Sequence, residues 1–446
     1  MKNDLTQGNI WKKLSLFFLP LAIGTIFQQL YNAADGLIVG KYVGTIALAA
    51  VGGSAAALST ALVNFFVALG NGGTVLIAQF FGASNHKSLT KAVHTSLIFA
   101  FVCGVIISIV GYIKTPEILA VMKVPDDTMA DAICYLRIIF AGVIFQVIFN
   151  MGAGILRAIG DSRSPFIYLT ISCITNIFVD LLFVKQFQMG VAGAAYATIM
   201  SQALSCFLTL SKLVRARDES YGLKFKELKV DFPILKRMLS IGLPIGCQSL
   251  MYSITNVIIQ VGINSLGTVV VASWALAGKF DGFFWGIMSA ANTSITNFVG
   301  QNYGKGDFER IKKGIKISFV LFMGFSVIFC ASMLLFSPYI IPLFGDDQEV
   351  IECTWSIVKF FGPLYWIWTI NEVFSGALRG EGKTLVSFVV SIFLICGFRL
   401  FWYFVIFRLY PTLTCLSLCY PISWAAASIA MTVYYLIHIK RKSMVQ

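Results

Sequence analysis

The sequence predicts an all-α, polytopic membrane protein with twelve transmembrane helices in two six-helix bundles, related by a pseudo-twofold axis along the membrane normal. Three observations carry this reading. Hydrophobic residues fill 57% of the 446 positions and charged residues only 12%, a balance too apolar for a soluble globular chain. Apolar runs of the roughly 20 residues that a bilayer requires recur along the whole length, separated by short polar breaks. Segments of the first half also return in the second, 222 to 224 positions on. Leu19-Pro20-Leu21 comes back as Leu243-Pro244-Ile245, and the stretch from Gly154 through Leu156-Arg157 to Gly160 comes back as Gly376 through Leu378-Arg379 to Gly382. A repeated unit of six helices, an even number, keeps its copy in the same orientation.

Taken in order, the apolar runs predict helices near 14–40, 45–80, 92–113, 131–156, 165–184, 191–213, 238–262, 269–300, 315–336, 351–378, 385–408 and 415–438. The domains follow: an amino-terminal lobe over 1–213, a cytoplasmic basic linker over 214–237 and a carboxy-terminal lobe over 238–446. The linker is the one long polar stretch and reads as solvated. About 25 of the 34 Lys and Arg residues fall in alternate loops and at the two ends, which by the positive-inside rule places both termini in the cytoplasm. The opposite loops carry acids instead, Glu117, Asp126 and Asp127 in one, Asp346, Asp347, Glu349 and Glu352 in another. The expected location is a bacterial inner (plasma) membrane, crossed many times, and a monomer suffices for this organisation.

The formal charge of +13 does not imply nucleic acid, because the basic residues are scattered through short loops and gather on no surface. The ten cysteines mostly sit inside apolar runs without metal or redox spacing. Neither His-Glu-x-x-His nor a nucleophile elbow occurs, so no enzyme is expected, and no organic or metal cofactor.

Helix one holds the organising feature, the carboxylate of Asp35. Gln28, Asn32 and Asp35 follow at i, i+4 and i+7, a polar stripe on an apolar rod. An ionised group at the centre of a membrane helix costs roughly 2.5 to 3.5 kcal/mol or more, so it faces a partner or water. Helix five carries Asn176 and Asp180 on one face, and Asp180 stands about as far from the outer end of its helix as Asp35 does. Thr198 of helix six falls near the same depth. Two acids and two neutral oxygen groups at one level suit a small cation, and paired carboxylates in an apolar setting resist ionising together. A proton is favoured as the ion; sodium suits the same oxygens.

Asn32-x-x-Asp35, Leu156-Arg157-x-x-Gly160, Asn176-x-x-x-Asp180 and Thr198, in this order on a duplicated twelve-helix scaffold, resemble the multidrug and toxic compound extrusion (MATE) transporters of prokaryotic type. The resemblance covers essentially the whole chain. It implies a V-shaped pair of bundles that exports organic, often cationic, compounds by alternating access against an inward flow of protons or sodium. It also implies that Asp35, Asn176, Asp180 and Thr198 form the coupling-ion site and that Pro20 marks a bend in helix one.

The second lobe departs from another branch of that family, which has an acid in helix seven. Here the helix offers the uncharged stripe Gln248, Tyr252, Asn256 and Gln260. Asp281 and Glu372 remain as substrate or ion candidates there, and a salt bridge to Arg399 is the expected role of Glu372. Trp274, Trp285, Trp366 and Trp368 suit either planar cations or the membrane interface. The alternative function is a flippase for a lipid-linked saccharide on a related scaffold. It would want cations in its cavity, whereas the first-half helices hold only Arg137 clearly within the membrane. The expected partners are therefore small organic cations and the lipid bilayer.

Overall fold

The computed structural model describes residues 4–44, 54–122, 124–344 and 347–445. The opening of the second expected helix, 45–53, and Asp346 lie outside the described residues. Twelve helices run in order: α1 (Ile10–Tyr42), α2 (Ser54–Gly82), α3 (His86–Val121), α4 (Asp126–Ala158), α5 (Arg163–Asp180) and α6 (Gly190–Arg215). They are followed by α7 (Phe232–Asn264), α8 (Thr268–Lys305), α9 (Phe308–Ile340), α10 in two pieces (Gln348–Phe361 and Tyr365–Gly380), α11 (Thr384–Phe407) and α12 (Leu413–Val445). Strands are absent among the described residues.

Nine of these helices are long and apolar enough to cross a membrane, among the described residues. The other three are α7, α8 and α10, and each has a visible reason. The polar stripe dilutes α7, and Lys279, Asp281, Asn292 and Asn297 dilute α8. A 3-10 turn at Gly362–Leu364 splits α10, because Pro363 has no N–H to continue the ladder.

The internal repeat is built into the backbone. α1 and α7 begin 222 positions apart, as do α3 and α9. The entry to α3 is capped by Asn85, whose side chain accepts from the Ser88 N–H at 3.0 Å, and the entry to α9 by Asp307, which accepts from the Arg310 N–H at 2.9 Å; each satisfies an orphan donor of the first turn. The Leu-Arg-x-x-Gly motif is a helix stop. Gly160 and Gly382 take φ of 94° and 82°, a left-handed conformation that costs a side chain but not glycine. Their turns let the Asp161 and Lys383 N–H groups reach back to the Leu156 and Leu378 carbonyls at 2.9 and 2.8 Å.

Two compact units emerge, one of Met1–Asp4 with Leu19–Gly246, the other of Leu5–Phe18 with Cys247–Gln446. The division therefore cuts inside α1 and α7, two residues before Pro20 and two after Pro244, not at the 214–237 linker. In the first unit, Leu76, Ile77, Leu89, Phe140 and Leu156 are fully enclosed; in the second, Phe284, Tyr365 and Trp424 are. The linker is not solvated throughout, as expected from its polarity, but docked. Leu223 is buried, with Tyr221 and Leu228 against the first unit's core. Thr90 donates to the Ser220 carbonyl at 2.7 Å, and the Lys224 and Asp231 N–H groups donate to His94 Nε2 at 3.2 Å and Thr95 Oγ1 at 3.0 Å. Scattered apolar residues among charges hid this. In the second unit the Leu5 N–H donates to Gln301 at 3.0 Å, and its carbonyl accepts from Arg310 at 3.2 Å.

Candidate functional site

Asp35 projects from the second half of α1 toward α5, where Asn176 and Asp180 sit one turn apart on the same face. Asn176 and Asp180 are wholly inaccessible and Thr198 of α6 nearly so, while Asp35 is half-buried. The two carboxylates interact with one another. The Tyr31 hydroxyl, one turn before Asp35, reaches Thr198, and Tyr135 of α4 faces both acids. α5 passes directly from Asp180 into a π-helical turn, Leu181–Gln186, a local widening common where side chains are put to use.

Hydrogen bonding in this pocket is incomplete. Beyond the contact between the two carboxyl groups, Asp35 Oδ1, both Asp180 oxygens and both polar atoms of the Asn176 amide are buried with no hydrogen-bond partner among the described residues. Nine other such atoms occur singly among the described residues, each on a different residue; five gathered in one pocket form a local deficit that invites a ligand. The donor set fits a small hard cation or a proton: two carboxylates, an amide oxygen and the hydroxyls of Thr198 and Tyr31 are oxygens of the kind such ions prefer.

Other sequence-predicted residues are placed elsewhere. Gln28 and Asn32 are exposed, with the Asn32 amide turned to Gln29 at 3.4 Å. Pro20 lies inside the single helix α1. In the second unit, the structure joins Gln248 and Tyr252 through Ser391 at 2.6 and 3.0 Å, and Arg379 donates to Gln248 at 3.1 Å and Asn292 at 3.3 Å. Asn256 is exposed and outside this network. Asp281 accepts from the Tyr365 hydroxyl. Glu372 does not form the expected salt bridge with Arg399. It accepts from Trp368 Nε1 at 2.9 Å, whereas Arg399 Nε donates to Ser423 at 3.0 Å. α10 points Glu372 back along its own turn, and α11 aims Arg399 at α12. Trp285, Trp368 and Trp424 stack edge to face inside the unit, while Trp366 is exposed.

The MatE family model matches residues 20–182 and again 244–405. The chain belongs to the MatE family. The two matched stretches also coincide with the two copies of the internal repeat. The probable multidrug resistance protein YoeA of Bacillus subtilis is 27% identical over 450 residues, covering 98% of this chain and 96% of its own length. The probable multidrug resistance protein NorM of Thermotoga maritima is 28% identical, covering 88% and 84%. Among solved structures, a multidrug resistance MATE family transporter of the MOP superfamily in an outward-facing conformation superposes with a TM-score of 0.91 at 25% identity, covering 99% and 98%. A MOP superfamily transporter from Pyrococcus furiosus, described as having a binding pocket of reverse polarity that suggests a different function, does so with 0.91 at 25% identity, covering 98% and 97%. This MatE chain is thus a multi-pass membrane transporter of a multidrug-efflux family.

Sequence reasoning missed Tyr31 and Tyr135. Tyr31 carried a signal, standing four residues before Asp35 and so on its face. Tyr135 carried none, since one tyrosine in an apolar run looks like any interfacial aromatic.

Proposed function

We propose that this transporter exports organic, cationic and amphipathic compounds in exchange for a cation that enters at Asp35, Asn176, Asp180 and Thr198, with both termini in the cytoplasm of a bacterial cell. The observation that supports this most is the group of five buried polar atoms around two facing carboxylates that find no further partner among the described residues. A proton is the favoured ion, because two adjacent carboxylates in a desolvated pocket oppose a second negative charge. Binding of the ion from outside removes charge, lets the outer half of α1 repack, with bending at Pro20, and favours release of the drug. Loss of the ion to the inside resets the site. Coupling requires only that the ion bind one conformation more tightly than the other.

The test is transport by protein reconstituted in liposomes, with a panel of fluorescent cations and anions of similar size under separately imposed proton and sodium gradients. Cations should be concentrated by a pH gradient, and Asp35→Asn and Asp180→Asn should each abolish concentrative transport while drug binding remains measurable. Full transport by either variant refutes the site. Transport driven by sodium at equal pH assigns the site to sodium instead, and equal handling of anions refutes the substrate class.

A further inference from the structure

Arg399 is the buried cation that the transport reading leaves unused. It lies in α11 with 5% of its surface exposed. Its guanidinium carbon stands 4.1 Å from the centre of the Tyr420 ring, and its Nε donates to Ser423 Oγ at 3.0 Å. Both partners belong to α12, within the same compact unit. A guanidinium carries five N–H donors, and here only the Nε one is used. No ion pair joins Arg399 to a described carboxylate; its Nη nitrogens donate to no described residue and are not sealed from solvent, so a small ion can reach them. A buried charge normally requires a counter-charge, and an aromatic face offsets only part of that requirement.

The backbone around Arg399 is also unusual. α11 is α-helical over Thr384–Val390, π-helical over Ser391–Gly397, α-helical for Phe398–Phe401 and π-helical again over Trp402–Phe407. Arg399 thus rides on a short α segment between two π-helical stretches, a distortion common at functional sites. The second π stretch is the repeat of the one that follows Asp180, 221 positions earlier. By the repeat of 222, Arg399 occupies the position of Ile177, next to Asn176 and three residues before Asp180. Arg399 thus stands within one helical turn of the place that Asp180 holds in the first unit, on the position matched to Ile177 and not to the acid.

We propose that Arg399, with Tyr420 and Ser423, anchors a second ion site of opposite sign, which takes a small monovalent anion of the chloride type. The Nη donors and the Ser423 hydroxyl suit a compact anion, and the Tyr420 ring packs against the guanidinium and restrains it. The site is independent of the cation pocket, so either assignment can fail without the other.

The test uses the purified full-length protein in detergent, melted in chloride or in gluconate at equal pH and ionic strength. Chloride should raise the apparent melting temperature by a few degrees, saturating in the millimolar range. Arg399→Gln should lose that dependence and Arg399→Lys should keep part of it. Equal melting of the wild type in both salts, or an undiminished chloride effect in Arg399→Gln, overturns the proposal. If Arg399→Gln does not fold, bromide-soaked crystals of the wild type decide the matter. An anomalous peak against the Arg399 guanidinium supports the site, and its absence from there refutes it.

Discussion

Replacing Asp180 by alanine should make this protein more stable and inactive. Both Asp180 oxygens are buried against the Asp35 carboxyl and accept from no other group among the described residues. Leaving such an atom unmade costs roughly 1 to 3 kcal/mol, so removing two relieves about 2 to 6 kcal/mol. The small void left behind returns about 1 kcal/mol of that, since few atoms are deleted. Alanine is also the better helix former at this position in α5. The net expectation is a gain of about 1 to 5 kcal/mol, against the usual loss for truncating a buried residue. Melting would be followed by tryptophan fluorescence in detergent at one scan rate, because unfolding of large proteins is often irreversible. The variant should melt several degrees higher at neutral pH without sodium, and the gap should narrow when acid or sodium loads the wild-type site. A variant that melts lower than the wild type under ion-free conditions would show that Asp180 belongs to a satisfied structural cluster.

Three further outcomes follow from other parts of the molecule. At Gly380 a Cβ would stand 2.7 Å from the Thr296 carbonyl oxygen and 2.9 Å from the Gly300 N, so Gly380→Ala should cost about 1 to 3 kcal/mol through forced separation of α8 and α10, read in the same melt. The hydrogen bonds from Lys91 and the Ile234 N–H hold the Asp231 carboxyl below the usual carboxylate range. A depressed value contributes stability above the unfolded pKa of about 3.9 that is lost as pH falls through the folded one. The docked linker should therefore gain sensitivity to an acid-active protease at low pH, and Asp231→Asn should show that sensitivity already at neutral pH. For topology, single cysteines at Lys87, Lys229 and Lys185 should meet an impermeant thiol reagent from outside the cell only at Lys185; labelling at Lys229 would invert the assigned orientation.

Periodicity and repetition made most of the fold legible. Apolar runs located the helices because the membrane demands length and hydrophobicity above all, and real helices extend past those runs because caps such as Asn85 and Asp307 lie in the polar flanks. The split in α10 was written in Gly362-Pro363, yet a hydropathy scan averages across it. Asp35 and Asp180 were legible because a carboxylate in an apolar run stands out. Tyr135 was not, nor was the pairing of Arg399 with Tyr420 and Ser423, since which neighbour a long side chain meets depends on how helices rotate against one another. The Leu-Arg-x-x-Gly motif was read as a family mark, and its glycines turn out to be helix stops dictated by backbone conformation.

The division inside α1 and α7 has a consequence for what counts as a half of this protein. Leu5–Phe18 belongs with the second unit, and the opening of α7, through Gly246, belongs with the first. Each unit is completed by the leading end of a helix whose remainder lies in the other. A chain severed at the linker would yield two fragments with six helices apiece, neither holding the residues of one whole unit. Such fragments should regain structure only when expressed together, by trading helix ends as two protomers of a swapped dimer do. The repeat is thus a unit of sequence and not of folding, so the two copies are bound to be made, and to fail, as one.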